Sequence, residues 1–191
     1  MKCITCKKYS LKIICKTCQN ALLEPKILTR TLPDGFKIYS FYHYGEIEDL
    51  LKTKHTHIGA SVYSILANIS FRRFSDAFNF INQVYALSID DHVKNGYSHT
   101  AILSNALKSK NIYPVFASLR AKNHSTYSGQ TLEYRLKNPR AFEYTFKSDI
   151  DAILVDDIVT SGTTINEAKN TLIKSGVEPL FALTLADARE P

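Results

Sequence analysis

Ile153-Leu154-Val155-Asp156-Asp157-Ile158-Val159-Thr160-Ser161-Gly162-Thr163-Thr164 decides the fold. An apolar run ends in two adjacent acids, and a small, hydroxyl-rich loop then leads directly into a helix. Two carboxylates at the C-terminal end of a buried strand lie where open α/β sheets place their ligands. At the edge of an apolar run they call for a partner such as a ligand hydroxyl. The backbone N–H groups of residues 160–164, backed by the positive end of a helix, suit a phosphate monoester. Thr160, Ser161, Thr163 and Thr164 add hydroxyls, and Gly162 allows close backbone approach. A helix cap accounts for one hydroxyl but not for four beside two acids. Acids for a diol and a loop for a phosphate together fit a ribose 5-phosphate. No Walker loop is present.

The surrounding pattern is strand–helix alternation. Residues 84–89, 113–118, 150–155 and 180–185 read as short buried strands, and residues 98–108 and 163–174 as helices. The last helix stops at Ser175-Gly176, a suitable C-terminal cap. Such alternation predicts a parallel sheet with covering helices. Upstream, residues 27–32 and 36–44 flank the turn Pro33-Asp34-Gly35 and read as a hairpin. Helices are expected over 46–54 and 59–74. Residues 123–147 read as irregular, with a short helix over 132–137.

All four cysteines fall in the first 18 residues, as Cys3-x2-Cys6 and Cys15-x2-Cys18. Two such knuckles can wrap one tetrahedral Zn²⁺, and a segment this short needs a metal to fold. The intervening residues suffice for a tiny hairpin, with Lys12-Ile13-Ile14 as its second strand. The expected division is a zinc module over 1–22 and an α/β domain over 23–191. The N-terminal stretch has no signal-peptide core and no apolar run reaches bilayer length, so a cytoplasmic protein without membrane insertion is expected. That setting disfavours disulfides.

Charge is unevenly spread. Residues 1–20 carry +5 and residues 92–140 carry +7, which leaves −6 elsewhere in a chain of net charge +6. Two basic zones on an acidic body suit a polyanion. Lys7 and Lys8 flank the first knuckle. Arg120, Lys122, Arg135, Lys137 and Arg140 line the second zone, where Tyr127 and Tyr134 are interleaved, a pattern used to track single-stranded nucleic acid. His55 and His57 read as surface polar residues. The segment Phe71-Arg72-Arg73-Phe74 reads as helix-end packing with exposed arginines.

The stretch over 153–164 resembles the phosphoribosyl-pyrophosphate (PRPP) motif of type I phosphoribosyltransferases. With the paired knuckles, the whole chain resembles the ComF family of competence proteins, associated with DNA uptake in natural transformation. Tyr44-Gly45-Glu46-Ile47-Glu48-Asp49-Leu50-Leu51 is similar to that family's tyrosine-led segment. The stretch from Gly129-Gln130 through Arg135 and Asn138 to Phe142 is similar to its glutamine, arginine, asparagine and phenylalanine stretch. The chain departs from the family at Asn95-Gly96-Tyr97-Ser98-His99, which lacks an arginine, and at Ala86-Leu87-Ser88-Ile89-Asp90-Asp91, which replaces a proline-rich loop. The missing arginine removes an anion contact from that end of the pocket.

The resemblance implies a phosphoribosyltransferase-like fold, with Asp156 and Asp157 on the ribose hydroxyls. It places residues 160–164 around the 5′-phosphate, with Mg²⁺ carried mainly by pyrophosphate. Three functions follow from it. The chain acts as a DNA-uptake factor that binds single-stranded DNA and PRPP alongside uptake-machinery proteins. Alternatively, it is an active phosphoribosyltransferase, with Arg120, Lys122 or Arg135 stabilising the departing pyrophosphate. In the third, it is a PRPP-sensing regulatory module without turnover.

Overall fold

The structure, a computed structural model, describes residues 1–89, 93, 96–123, 133 and 140–189. The hairpin read from Pro33-Asp34-Gly35 is present as β1 (Leu28–Thr31) and β2 (Lys37–His43), paired antiparallel. Gly35 supplies the turn with φ 87°, a conformation that costs glycine little. After α1 (Lys16–Leu22), the helices preceding the next strand are α2 (Tyr44–Lys52), α3 (Gly59–Ile69) and α4 (Phe71–Ala77). The single helix expected over 59–74 is thus two. The chain breaks at Ser70 (φ −107°, ψ −71°), whose hydroxyl donates back to the Leu66 carbonyl at 2.7 Å. Bonding of this kind bends helices.

The alternating half follows as β3 (Val84–Ser88), α5 (His99–Ala106), β4 (Ile112–Val115), a two-stranded ribbon of β5 (Leu119–Ala121) with β6 (Phe142–Tyr144), then β7 (Ile150–Val159), α6 (Thr163–Lys174) and β8 (Val177–Asp187). The main sheet runs β1-β2-β8-β7-β3-β4, and every pairing except β1 with β2 is parallel. The chain is a mixed α/β protein around a mostly parallel sheet. The strand expected over 150–155 continues to Val159, because residues 156–159 stay paired with Thr184 to Asp187 on β8. The ribbon was not expected from the sequence. The helix expected over 132–137 lies outside the described residues, apart from Glu133.

Two apolar layers enclose the sheet. On one face Ile153, Val155, Leu183 and Leu185 meet Leu51, Val62, Leu66, Phe71 and Leu103 from α2 to α5. On the other, Ala152, Leu154 and Ala182 meet Ile165, Ala168 and Leu172 of α6, together with Leu119 and Phe142 of the ribbon. The three α6 residues are spaced to form one helical stripe. Fully burying each large aliphatic side chain stabilises the fold by about 1.5–3 kcal/mol. The N-terminal segment joins the first layer through Cys3, Ile14, Cys18 and Leu23. Leu23 also accepts a 2.9 Å hydrogen bond from the buried Tyr42 hydroxyl. No helix among the described residues is long and apolar enough to cross a membrane.

Candidate functional site

β7 carries both acids to the C-terminal end of the sheet, but it does not aim them together. Successive residues of a strand face opposite sides. Asp157 enters the α2–α5 face, where it is 5% exposed. Its carboxylate accepts from Tyr63 Oη at 3.0 Å and pairs with Lys54 Nζ at 2.8 Å, with His99 Nε2 at 3.5 Å. Burial, then the Asp157 charge, push the Tyr63 phenol far above its ordinary range, so it stays a donor. Tyr97 anchors the same corner by donating to the Lys54 carbonyl at 2.8 Å. Gly59 is required beneath it, because a Cβ there would collide with the Thr53 carbonyl and the Tyr97 hydroxyl. Asp156, on the α6 face, is half-buried, and its Oδ1 accepts the Asp157 amide at 2.8 Å.

The loop between β7 and α6 is short. Thr160 and Ser161 are exposed, Gly162 is buried, and Thr163 and Thr164 are half-buried. Gly162 caps α6 in the left-handed region at φ 83°, with Leu32 Cδ2 2.8 Å from where a Cβ would stand. Ser161 Oγ and Thr163 Oγ1 lie 2.8 Å apart, and the Thr163 amide points to Ser161 Oγ at 3.4 Å. The loop hydroxyls and the amides that open α6 thus follow within a few residues of Asp156, the order of groups that suits a phosphate on a polyol.

Arg30 of β1, 8% exposed, donates Nη1 to the Thr160 carbonyl and pairs through Nη2 with Asp187 Oδ1, with Nε reaching Oδ2 at 3.2 Å. Arg189 joins Asp187 at 2.9 Å. Burial alone would raise the Asp187 carboxyl, but hydrogen bonds from the two arginines outweigh it and hold the carboxyl below its ordinary value. Sequence reading missed Arg30, Lys54, Tyr63 and His99. All are remote from 153–164 in the chain; Arg30, Lys54 and Tyr63 lie in segments without a motif, and His99 closes the stretch 95–99 that departs from one.

The four cysteines come together, all Sγ atoms within 4.8 Å of one another. The Cys6 to Cys15 separation is 3.7 Å, close to the roughly 3.8 Å set by tetrahedral Zn–S bonds of about 2.3 Å. The expected second strand over 12–14 is absent. The second knuckle instead opens a helix, with Cys15 as the N-cap of α1 and the Cys18 amide donating to Cys15 Sγ at 3.4 Å. The Cys15 amide, followed by that of Cys6, lowers the Cys3 thiol to about 6. The Cys15 side chain, then burial, push Cys18 up to about 12. Four sulfur ligands gathered this closely match a tetrahedral site, so the cluster could hold a metal such as zinc.

The cationic residues are dispersed. Lys2, Lys7, Lys8, Lys12 and Lys16 are all exposed on the cysteine segment, with Tyr9 87% exposed beside Lys2. Lys7 Nζ also caps the Ile4 carbonyl at 2.7 Å. Arg120 is exposed on the ribbon, Lys122 lies 3.5 Å from Glu143, and the Arg140 amide donates to Glu167 of α6 at 2.9 Å. Arg135, Lys137, Tyr127 and Tyr134 lie outside the described residues. In the Phe71-Arg72-Arg73-Phe74 segment both phenylalanines pack on Phe41, while Arg73 pairs with Glu24 at 2.9 Å.

Among solved structures the chain is similar to a hypoxanthine phosphoribosyltransferase from Staphylococcus aureus, at 12% identity and TM-score 0.41, over 68% of this chain and 67% of that one. It is similar to a UMP synthase from Leishmania donovani at 15% identity and TM-score 0.41, over 90% of this chain but 31% of that one. It is also similar to an orotate phosphoribosyltransferase from Mycobacterium tuberculosis H37Rv at 13% identity and TM-score 0.38, over 90% and 82%. No family model and no curated protein matches the sequence. Likenesses this distant carry no functional weight. The chain's own residues do.

Proposed function

We propose that this protein binds a 5-phosphorylated ribose, PRPP, at the β7–α6 junction and handles single-stranded DNA as a ComF-type uptake factor. The observation that carries the reading is the loop 160–164, whose accessible hydroxyls and helix-opening amides follow the half-exposed Asp156. The 5′-phosphate takes the amides and hydroxyls, and the ribose diol takes Asp156. Asp157 acts from behind the strand by fixing Lys54, whose side chain keeps 22% exposure. Mg²⁺ would enter as a passenger on the ligand's pyrophosphate. When bound, it neutralises pyrophosphate charge.

The DNA half of the proposal rests on residues 1–20, which contain five exposed lysines, no acid and an exposed Tyr9. Lysines bind phosphates and an exposed ring stacks on bases whatever their sequence. Residues 1–22 then act as a metal-held docking module. Arg120 and Lys122, with Arg135, Lys137 and Arg140, extend the contact.

Labelled single-stranded DNA titrated with protein across a salt series, with and without PRPP and Mg²⁺, tests both parts. Each phosphate contacted steepens the log–log salt dependence by about 0.7, so the five exposed lysines, all engaged, predict a slope of about −3.5. Absence of binding at low salt refutes the DNA role. Calorimetry with PRPP tests the pocket separately. Pyrophosphate release with any of a panel of bases would make the protein a transferase.

A further inference from the structure

The β1–β2 hairpin touches the phosphate loop and its helix through every second residue. Arg30 donates to the Thr160 carbonyl. Leu32 stands under Gly162, where it fills the space a Cβ would take. Asp34 pairs with Lys169, a lysine of α6 that is 4% exposed. Phe36 lies under the same ammonium, 5.5 Å from ring centre to Nζ. Arg30 and Leu32 share one side of the hairpin, Leu32 is paired with Phe36 across its mouth, and Asp34 of the turn reaches the same ammonium as Phe36. The four side chains meet the carbonyl before the loop, the glycine within it and the helix after it.

From this alignment we infer that Arg30 is the positioning residue of the phosphate loop, and that the hairpin is its rigid support. The inference rests on the proposed ribose-phosphate site. A loop that binds an anion through its amides must turn its carbonyls away from the anion. Thr160 is the first loop residue, and the Arg30 guanidinium holds its carbonyl on the hairpin side. Asp187, one strand over and in register with Val159, fixes the guanidinium in turn by a two-point contact, an arrangement in which Arg is geometrically specific. Arg189 adds a second cation to Asp187 and donates to the Thr29 carbonyl at 3.1 Å. Arg30 thus has no direct part in ligand binding. It sets the loop before the ligand arrives, and such preorganisation raises affinity by removing an ordering cost.

The distinguishing variant is Arg30→Lys. A lysine can keep the ion pair with Asp187 or reach Thr160, but its single point of charge cannot do both. Losing one hydrogen bond to a charged group corresponds to a loss on the order of tenfold to a hundredfold. Ribose 5-phosphate and PRPP–Mg²⁺ affinities should therefore fall by about that much in Arg30→Lys, which can keep the ion pair with Asp187 and should melt above Arg30→Gln. Arg30→Gln should lose both affinity and stability. In the ligand-free full-length protein, amide NMR of residues 160–164 should show shifted, broadened resonances and faster hydrogen exchange in Arg30→Lys. Wild-type affinity together with unchanged loop amides in this variant would overturn the inference. If wild-type protein binds neither ligand, the proposed site fails, and the ligand-free amide spectra alone decide whether Arg30 orders the loop.

Discussion

Replacing Asp157 by Asn separates the two acids of the motif. Asn keeps the shape and still accepts from Tyr63, but it withdraws the carboxylate from Lys54, 2.8 Å away. Breaking a fully buried pair costs about 3–5 kcal/mol. The Lys54 side chain keeps 22% exposure, so water offsets part of this and about 2–3 kcal/mol is expected. For a chain of this size, a loss of 1 kcal/mol lowers Tm by about 2–4 °C. Asp157→Asn should therefore melt roughly 4–12 °C below wild type. Asp156→Asn keeps an oxygen that can accept the neighbouring Asp157 amide, so it loses charge rather than that bond and should melt close to wild type. Calorimetric melting of both variants at neutral pH, followed by PRPP titration below the lower Tm, resolves them. PRPP affinity should be lost in Asp156→Asn without a stability change, and weakened in Asp157→Asn together with one. If Asp157→Asn melts with wild type, the buried network does not hold Lys54 and the division of roles is wrong.

Other consequences are open to measurement. Gly162→Ala should cost about 1–2 kcal/mol, the strain of a left-handed L-residue. The Leu32 methyl that its Cβ would meet can swing aside. Urea unfolding reads the cost, and no loss would show that the loop relaxes out of φ 83°. Chelation of the metal should unfold α1 and expose all four thiols to Ellman's reagent. Metal analysis should give about one zinc per chain, since four thiolates complete a tetrahedral site. Zero zinc with four reactive thiols in fresh protein contradicts it. Asp187 sets an acid limit. Because its folded pKa is lowered, its contribution is fully present above the unfolded value of about 3.9 and fades as pH falls through the folded value. Asp187→Asn should lower Tm at neutral pH and flatten the Tm–pH profile below pH ~4. An unchanged profile would show that the pair with Arg30 is not stabilising.

The twelve residues over 153–164 announced a strand, a hydroxyl-rich loop and a helix without help from any fold. Each signal is local: apolar residues in a run, two acids at its end, hydroxyls and a glycine before a periodic helix. Alternation likewise foretold the parallel sheet, and cysteine spacing the four-thiol cluster. Sequence alone could not separate the roles of Asp156 and Asp157. Strand pleating sends neighbours to opposite faces, and the groups that meet Asp157 come from residues 58 to 103 positions away. Lys54, Tyr63 and His99 reach Asp157 only because α2, the turn after it, α3 and α5 pack on one side of the sheet. The Arg30 contact likewise exists only because β1 and the end of β8 lie beside the loop. Local chemistry marked the candidate ligand residues. Tertiary packing decided which others hold them in place, because a buried charge finds its partner across the fold rather than along the chain.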